Sequence, residues 1–282
     1  MNIKELTHDD VLSLFPDRAE NSHKGDYGKV LLLCGSKGYT GAAALAALGA
    51  LRTGAGLVYL GVPSSIYDIE ASKLLEPIVI PLPEEDGKLS EQSIMEIGKM
   101  LPNMDAVLVG CGLGRSGGVY SVVKYVLQHY EGPVVLDADG INAVSTHMDI
   151  VRGRTSPVIL TPHEGEFLRL GGVLTGDRTR DASALANDLG AVVLLKGHRT
   201  VITDGIDCYI NPTGNPGMAV GGCGDVLAGM IVSLLGQGFS PMHSAACSAW
   251  LHGAAGDVCA DEIGQYGMLP SDMLRVLPRL IK

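Results

Sequence analysis

Short, uninterrupted runs of Val, Ile and Leu recur along this chain, and each closes on Gly, Pro or a polar residue. These runs span residues 29–34, 57–61, 106–110, 133–137, 157–161, 191–196 and 200–203. Apolar runs of this length without alternation are typical of strands buried on both faces of a sheet. Stretches with helical character lie between them, at 42–53, 91–100, 119–129, 183–189, 226–235 and 244–260. Strand followed by helix, repeated, predicts an α/β fold with a mostly parallel central sheet and helices on both faces.

Length and composition favour a compact enzyme built around one large core. The 282 residues are 46% hydrophobic and 18% charged, a balance typical of a globular rather than a disordered chain. We find no internal repeat, low-complexity tract or linker, and therefore expect one domain over residues 1–282. Residues 81–90, PLPEEDGKLS, cluster Pro, Gly and acidic side chains. We predict that this segment is a solvated connection.

The charge and cysteine patterns exclude several functional classes. A net charge of -10 with no stripe rich in Lys or Arg argues against nucleic acid as the main partner. The beginning of the chain has no apolar signal core, and the apolar segments are too interrupted for a membrane span. The six cysteines form no CxxC pair and show no metal-ligand spacing. We therefore expect a reduced, cytoplasmic setting and no membrane partner.

Residues 211–229, NPTGNPGMAVGGCGDVLAG, place a glycine-rich loop directly before a helical pattern of small residues. Glycines let a phosphate approach the main chain, and the amides at a helix start have no intrahelical partner and carry the positive end of the helix dipole. A carboxylate beside such an anion site, Asp225, suits a general base that takes a proton from an attacking hydroxyl. Taken alone, Asp225 can equally be an N-cap and the glycines a turn.

Polar and glycine-rich segments follow five of the predicted strands, at 34–36, 110–114, 137–139, 161–164 and 196–198. In an open parallel sheet, ligands bind in the crevice outside the carboxyl ends of the strands. Each segment has an ordinary alternative: GCGLG can be a tight turn, Asp137 an N-cap and His163 a surface residue. Their common position at one edge nevertheless predicts a binding site there.

Several motifs together resemble one enzyme family. They are NPGMAVGGCGDVLAG, LKGHRTVITDG, LTPHEGEFLRL, LDADGIN and GDYGKVLLLCGSKGYTGAAALAALGALRTGAGLV. In order and spacing, from about residue 24 to the end, they resemble the ADP/ATP-dependent NAD(P)H-hydrate dehydratases of the ribokinase-like superfamily. The resemblance implies a ribokinase-like fold without a separate lid domain. It begins where the dehydratase module begins, so we expect no epimerase domain in front. Cys223 replaces the Thr more usual in the family's GTGD loop, with little expected effect because the loop acts through amides.

The resemblance also implies a reaction. The S epimer of hydrated NADH or NADPH would receive a phosphoryl group from ADP on its ring hydroxyl, and loss of phosphate would restore NADH or NADPH and leave AMP. Asp225, with Gly222 and Gly224, would be catalytic. Residues implied for the hydrated dinucleotide are Ala42, Gly112, Gly114, His163 and Asp225, and those implied for the nucleotide are Lys196, Gly197, His198, Arg199, Thr200 and Gly224.

Further expectations follow from the same resemblance. Asp137 and Asn142 would be associated with the site or its magnesium, and Mg²⁺ would be held mainly by phosphates and water without an all-protein metal site. The small-residue segment 41–53 packs closely on the sheet and leaves room for a subunit or the dinucleotide pyrophosphate. Relatives imply a homotetramer working with a separate epimerase. Two alternatives stay open: a superfamily kinase similar to hydroxyethylthiazole or sugar kinases, and a non-catalytic nucleotide-binding regulator, which an intact Asp225 disfavours.

Overall fold

The computed structural model describes residues 2–281 as strands and helices around one large sheet. The strands are β1 Asn2–Glu5, β2 Lys29–Leu33, β3 Leu57–Pro63, β4 Ile78–Leu82, β5 Glu84–Glu85, β6 Lys88–Leu89, β7 Ala106–Val109, β8 Val134–Leu136, β9 Val158–Leu160, β10 Val192–Leu195, β11 Val201–Thr203 and β12 Asp207–Ile210. The α-helices are α1 His8–Leu12, α2 Thr40–Arg52, α3 Tyr67–Lys73, α4 Ile94–Met100, α5 Gly117–His129, α6 Asp139–Val144, α7 Asp149–Arg152, α8 Glu164–Arg169, α9 Arg178–Leu189, α10 Cys223–Gly236, α11 Pro241–Glu262 and α12 Pro270–Leu280.

The central sheet has ten strands in the order β1-β12-β11-β10-β9-β8-β7-β2-β3-β4. Strand β11 is antiparallel to both of its neighbours, and the other pairings are parallel. The predicted mostly parallel α/β sheet is confirmed. Every apolar run identified in the sequence forms a strand within it.

The apolar pattern of the sequence does not mark the edge strands β1 and β4 or strand β12, which lies next to β1. β1 is exposed along its whole length, β12 begins on an exposed Asp207, and β4 contains Pro81. A proline is tolerated in a strand at a sheet edge because it cannot donate to a second neighbour. Edge strands therefore lack the continuous apolar pattern that marks the inner ones.

The expectation of a solvated connection at residues 81–90 is wrong. The segment folds into a hairpin in which β5 and β6 pair antiparallel, and Leu82 and Leu89 are buried at its base. Asp86 and Gly87 connect the strands with φ angles of 51° and 75°. Positive φ at both turn positions is the two-residue turn that Asp-Gly favours between paired strands.

Helices cover both faces of the sheet, as predicted. One apolar core contains buried side chains of α4, α5, α6, α7, α8 and α9, and the other contains those of α2, α10 and α11. α12 packs outside the second layer against α10 and α11. None of the helices in residues 2–281 combines the length and apolar character needed to cross a membrane.

The small residues of α2 bring its backbone close to that of α10. A Cβ on Gly49 would lie 2.6 Å from the Val226 carbonyl oxygen, and one on Gly229 would clash with the Ala46 carbonyl. These contacts hold the two helices side by side with both N-termini at the carboxyl edge of the strands. The predicted close packing of segment 41–53 on the sheet is confirmed, because the buried alanines of α2 share a core with strand side chains. The segment also packs closely against α10.

Candidate active site

Three strand ends meet around the carboxylate of Asp137, which follows β8 and is 2% exposed. Lys196, after β10, donates from Nζ to Asp137 Oδ1 at 2.8 Å. Thr161, after β9, donates from Oγ1 to the same oxygen at 2.7 Å, and Cys111 Sγ lies 3.5 Å from Oδ2. The convergence expected at this edge is thus present. Its ion pair and hydrogen bonds satisfy a buried carboxylate that would otherwise be costly.

Asp225, in the first turn of α10, reaches this cluster from the helix layer. One carboxylate oxygen of Asp225, one of Asp137 and the Cys111 sulfur all lie within 4.8 Å of one another. Burial, reinforced by repulsion from Asp137, raises the pKa of Asp225 to about 6, while a hydrogen bond from Cys111 and the charge of Lys196 oppose the rise. A carboxylate with a pKa near neutrality is still ionised at pH 7 and is well matched to accept a proton.

The loop before α10 presents free amides. Gly222 is the N-cap with φ 105°, where a side chain would be strained and would collide with Leu45. The N–H groups of Gly222, Gly224 and Asp225 find no hydrogen-bond partner among residues 2–281. A Cβ on Gly221 would meet open space. The loop therefore has both the donors and the room for a phosphate, at the positive end of a fourteen-residue helix.

A cavity of about 870 Å³ opens beside this loop. Its lining includes residues 196–200, nearly all of the segment 211–220, and Gly224 and His252. Its volume lies within the range of small-molecule and cofactor pockets. The whole KGHRT segment thus shares one cavity with the anion loop.

Lys196 links the cavity to Asp225. Its Nζ lies 3.9 Å from Glu166 Oε2 in addition to its bond with Asp137, and 3.5 Å from where a Cβ of Gly224 would stand. Burial lowers the pKa of Lys196, but the negative charges of Asp137 and Glu166 raise it by more, so the net pKa is raised. A fixed, protonated ammonium therefore stands where a phosphate on the loop would need a counter-charge.

The conformation of the rest of the KGHRT loop is fixed by a hydrogen bond within the loop and by an ion pair with β1. Thr200 Oγ1 donates to the Gly197 carbonyl at 2.9 Å, and Arg199 holds a positive φ of 54° while its guanidinium pairs with Glu5. A non-glycine residue in this region is uncommon and marks a conformation imposed by its surroundings. The loop is thereby shaped as part of the cavity wall.

His163 combines a structural role with a place on the cavity wall. It is the N-cap of α8, and its Nδ1 accepts from the Gly165 and Glu166 amides at 2.9 and 3.2 Å. Its side chain is 56% exposed and lines the same cavity as residues 196–200. The structure thus groups His163 with the predicted nucleotide segment, and its predicted contact with the dinucleotide stays a prediction.

Ala42, Gly112 and Gly114 lie outside that cavity. A Cβ on Gly112 would stand 3.0 Å from the Ala42 Cβ and 2.9 Å from the Tyr39 Cβ, so Gly112 packs directly against the start of α2. The Gly114 amide donates to Asp139 Oδ2 at 2.8 Å. In the sheet, β8 stands between β7 and the β9–β10 pair. The glycine loop after β7 and the cavity beside β10 therefore flank Asp137 and Asp225 from two sides.

The contacts of Asn142 and of the Asp137–Asp225–Cys111 cluster show how these residues could take part in magnesium binding. Asn142 Oδ1 accepts from Arg169 Nε at 2.9 Å, so it braces α6 against α8. Asp137 is engaged by an ammonium and a hydroxyl, and the third group of the cluster is a thiol. Magnesium prefers an octahedron of oxygens and retains several waters. This donor set fits an ion bound through substrate phosphates and water.

Sequence reasoning missed two buried groups at the site. Cys111 has no predicted role within GCGLG, yet it contacts both carboxylates. His252 sits among the small residues of α11, 7% exposed, and its Nε2 has no partner in the described residues. Burial lowers the pKa of His252 to about 4, so the ring is neutral. A single His in an apolar helix gives no local signal of such a position.

Comparison with known proteins places the fold and motifs in one family. The family model described as NAD(P)H-hydrate dehydratase matches residues 30–279. The chain belongs to the NAD(P)H-hydrate dehydratase family. It is 38% identical to the ADP-dependent (S)-NAD(P)H-hydrate dehydratase of Bacillus subtilis, over 100% of this chain and 99% of that protein. The resemblance read from the motifs is confirmed.

Longer relatives share this part of their sequence. The chain is 44% identical to the bifunctional NAD(P)H-hydrate repair enzyme Nnr of Moorella thermoacetica, over 96% of this chain and 52% of that protein. The chain thus spans about half the length of the bifunctional relatives it matches.

Solved structures agree with the ribokinase-like fold. The Bacillus subtilis ADP/ATP-dependent NAD(P)H-hydrate dehydratase, co-crystallized with ATP/Mg²⁺, superposes with a TM-score of 0.84 at 34% identity, covering 99% of this chain and 98% of the other. A ribokinase-like superfamily protein of Enterococcus faecalis gives 0.87 at 27% identity, covering 99% and 95%. The hydroxyethylthiazole kinase of Pyrococcus horikoshii gives 0.64 at 17% identity, covering 92% and 91%, and shares the fold alone.

Proposed function

We propose that this chain is a dehydratase that repairs the S epimer of hydrated NADH and NADPH, consuming ADP and releasing AMP and phosphate. The main support is the position of Asp225, beside the free amides of the anion loop and next to Gly224 and Lys196, which line a nucleotide-sized cavity. Family membership over residues 30–279 supplies the substrate class.

In the proposed first step, the ring hydroxyl oxygen attacks the β-phosphorus of ADP. A new P–O bond forms, the bond to the AMP oxygen breaks, and Asp225 accepts the hydroxyl proton. The amides of Gly222 and Gly224 and the Lys196 ammonium stabilise the charge on the transferring group. Mg²⁺ bound to the phosphates would neutralise part of that charge.

In the second step, the phosphate ester leaves. The ring nitrogen lone pair expels phosphate as the C–O bond breaks, and loss of a proton from the neighbouring ring carbon restores the dihydropyridine. The protein's part is to keep water away while the ester exists. The buried Asp137–Lys196 pair at the base of the site suits a water-excluded reaction centre.

The two substrates would approach from opposite sides of Asp225. ADP would occupy the cavity lined by residues 196–200 and Gly224, and the hydrated dinucleotide would lie over Ala42, Gly112 and Gly114. We assign His163 to the boundary, where its exposed ring can contact the dinucleotide.

Five wider assignments belong to the same proposal. Residues 1–282 would form one dehydratase domain that acts in the cytoplasm as a homotetramer with bound Mg²⁺. A separate epimerase would supply the S epimer to this dehydratase. Sedimentation of the purified protein tests the tetramer.

The test is direct. The purified protein is incubated with chemically hydrated NADH, Mg²⁺ and either ADP or ATP, and the return of reduced-nicotinamide absorbance is followed. We expect recovery that depends on nucleotide and is lost in Asp225→Asn. No recovery with either nucleotide, from a folded protein, would refute the proposal.

A further inference from the structure

The β5–β6 hairpin packs against the glycine loop assigned to the dinucleotide. Cε and Cδ of Lys88 lie 2.9 and 3.0 Å from where a Cβ of Gly114 would stand, so the side chain crosses directly over this glycine. The Lys37 amide donates to the Gly87 carbonyl at 2.9 Å, and the Lys37 side chain packs on Gly87. The hairpin, the loop after β2 and the loop after β7 therefore meet at one place, with a lysine on each of the first two.

Neither lysine has a charge partner. At the candidate active site, Lys196 forms an ion pair with Asp137. In contrast, the side chains of Lys88 and Lys37 make no hydrogen bond or ion pair with any residue from 2 to 281. Lys88 is only half-exposed. These two lysines therefore keep their charges free for an anionic ligand beside the glycine loop, in a chain with 31 acidic and 21 basic residues.

Two of the neighbouring acidic side chains already have hydrogen-bond partners. Asp139 accepts from the Gly114 amide and from Asn142, and Glu84 accepts from Ser65 Oγ at 3.0 Å. They orient the loop and hairpin rather than neutralise the lysines. Gly112 and Gly114 have φ angles of 70° and 73°, and the missing Cβ atoms leave the space that Tyr39, Ala42 and the Lys88 side chain fill.

We propose that Lys88, with Lys37 beside it, binds a phosphate group of the dinucleotide substrate. A compact ammonium is a common phosphate ligand, and the packing of the Lys88 stem on Gly114 holds this ammonium beside the loop assigned to the dinucleotide. The inference rests on the proposed function, because it takes the hydrated dinucleotide as the ligand. Two phosphates share this chemistry: the pyrophosphate of both dinucleotides and the 2′-phosphate found only on the NADPH form.

The test compares Lys88→Met with the wild type. Met keeps most of the aliphatic stem over Gly114 and removes the charge. We expect the KM for hydrated dinucleotide to rise about tenfold, the usual size of a lost charge-assisted hydrogen bond, with kcat and the KM for ADP unchanged. A rise for both hydrates assigns the pyrophosphate, and a rise for hydrated NADPH alone assigns the 2′-phosphate. Lys88→Arg should restore most of the affinity.

The matched control is Lys124→Met, an exposed lysine on α5 that makes no ion pair within residues 2–281, and it should leave both KM values unchanged. Melting temperatures check that each variant is folded, and Lys37→Met is the second probe if Lys88→Met is unstable. Calorimetric titration with NADPH and NADH measures the subsite without turnover. If the wild type failed to dehydrate either hydrate, the proposed function would fail by itself. Unchanged KM and unchanged NADPH affinity in Lys88→Met and Lys37→Met would overturn the phosphate subsite.

Discussion

Replacing Asp225 by Asn should abolish turnover while making the folded protein more stable at neutral pH. The amide keeps the size of the carboxylate and some capping ability but cannot accept the hydroxyl proton. We expect kcat to fall by more than roughly a hundredfold, the usual minimum for loss of a general base. The nucleotide affinity should change little, because the loop holds phosphate through its amides.

The stability gain follows from the raised pKa of Asp225, about 6 against an ordinary 3.8. An acid whose folded-state pKa is raised stabilises the fold below its unfolded pKa and loses that contribution as pH rises through the folded value. The full displacement corresponds to about 3 kcal/mol above pH 6. Because Asn also loses the hydrogen bond from Cys111 and is itself partly desolvated, we expect a net gain on the order of 1–2 kcal/mol.

Thermal unfolding of wild type and variant at pH 4 and pH 8 measures this difference. The variant should melt higher by roughly 2–5 °C at pH 8 and show no such advantage at pH 4. Asp17→Asn, an exposed position without a side-chain hydrogen bond, makes the same charge change and should show neither effect. Near-normal turnover in Asp225→Asn would refute the assignment of Asp225 as the general base. Equal stability differences at pH 4 and pH 8 would refute the raised pKa of this carboxylate.

Three further outcomes follow from the site. For the wild type, kcat/KM should fall tenfold per pH unit below about 6, because protonation of Asp225 removes the base; a flat profile between pH 5 and 8 would contradict this. Lys196→Met should lower kcat on the order of a hundredfold and lower the melting temperature, since it leaves the Asp137 carboxylate buried without its charge partner; unchanged kcat in steady-state assays would remove Lys196 from phosphoryl transfer. His163→Ala should raise the KM for the hydrate more than that for ADP, and a rise confined to ADP would place His163 in the nucleotide site alone.

The inner sheet and the location of the site were predictable from sequence. Each buried strand has a continuous apolar run in the sequence. Because parallel strands end at the same edge of the sheet, Asp137, Thr161 and Lys196 come together at that edge. The edge strands were not predictable in this way, because half their backbone and side chains face solvent. The hairpin at 84–89 had a signal that was overlooked, the Asp86-Gly87 turn pair.

The electrostatics of the site required coordinates. The sequence GCGLG does not show that Cys111 contacts two carboxylates. The spacing of Asp137 and Asp225 in the sequence does not show that the first raises the pKa of the second. The sequence also does not show which binding site His163 faces. In the structure this residue both caps α8 and lines the cavity. Pairwise distances across strands depend on register, which local sequence does not encode.

The most direct test of the account is the product balance of a completed reaction. Phosphorus NMR and nucleotide analysis should show AMP, free phosphate and reduced dinucleotide formed in equal amounts from ADP and the hydrate. The phosphate ester beside the ring nitrogen cannot persist, because the lone pair expels it, whereas a sugar or thiazole alcohol has no such lone pair and would keep its phosphate. A stable phosphomonoester, formed from any alcohol faster than the hydrate is repaired, would contradict the account and make the protein a kinase.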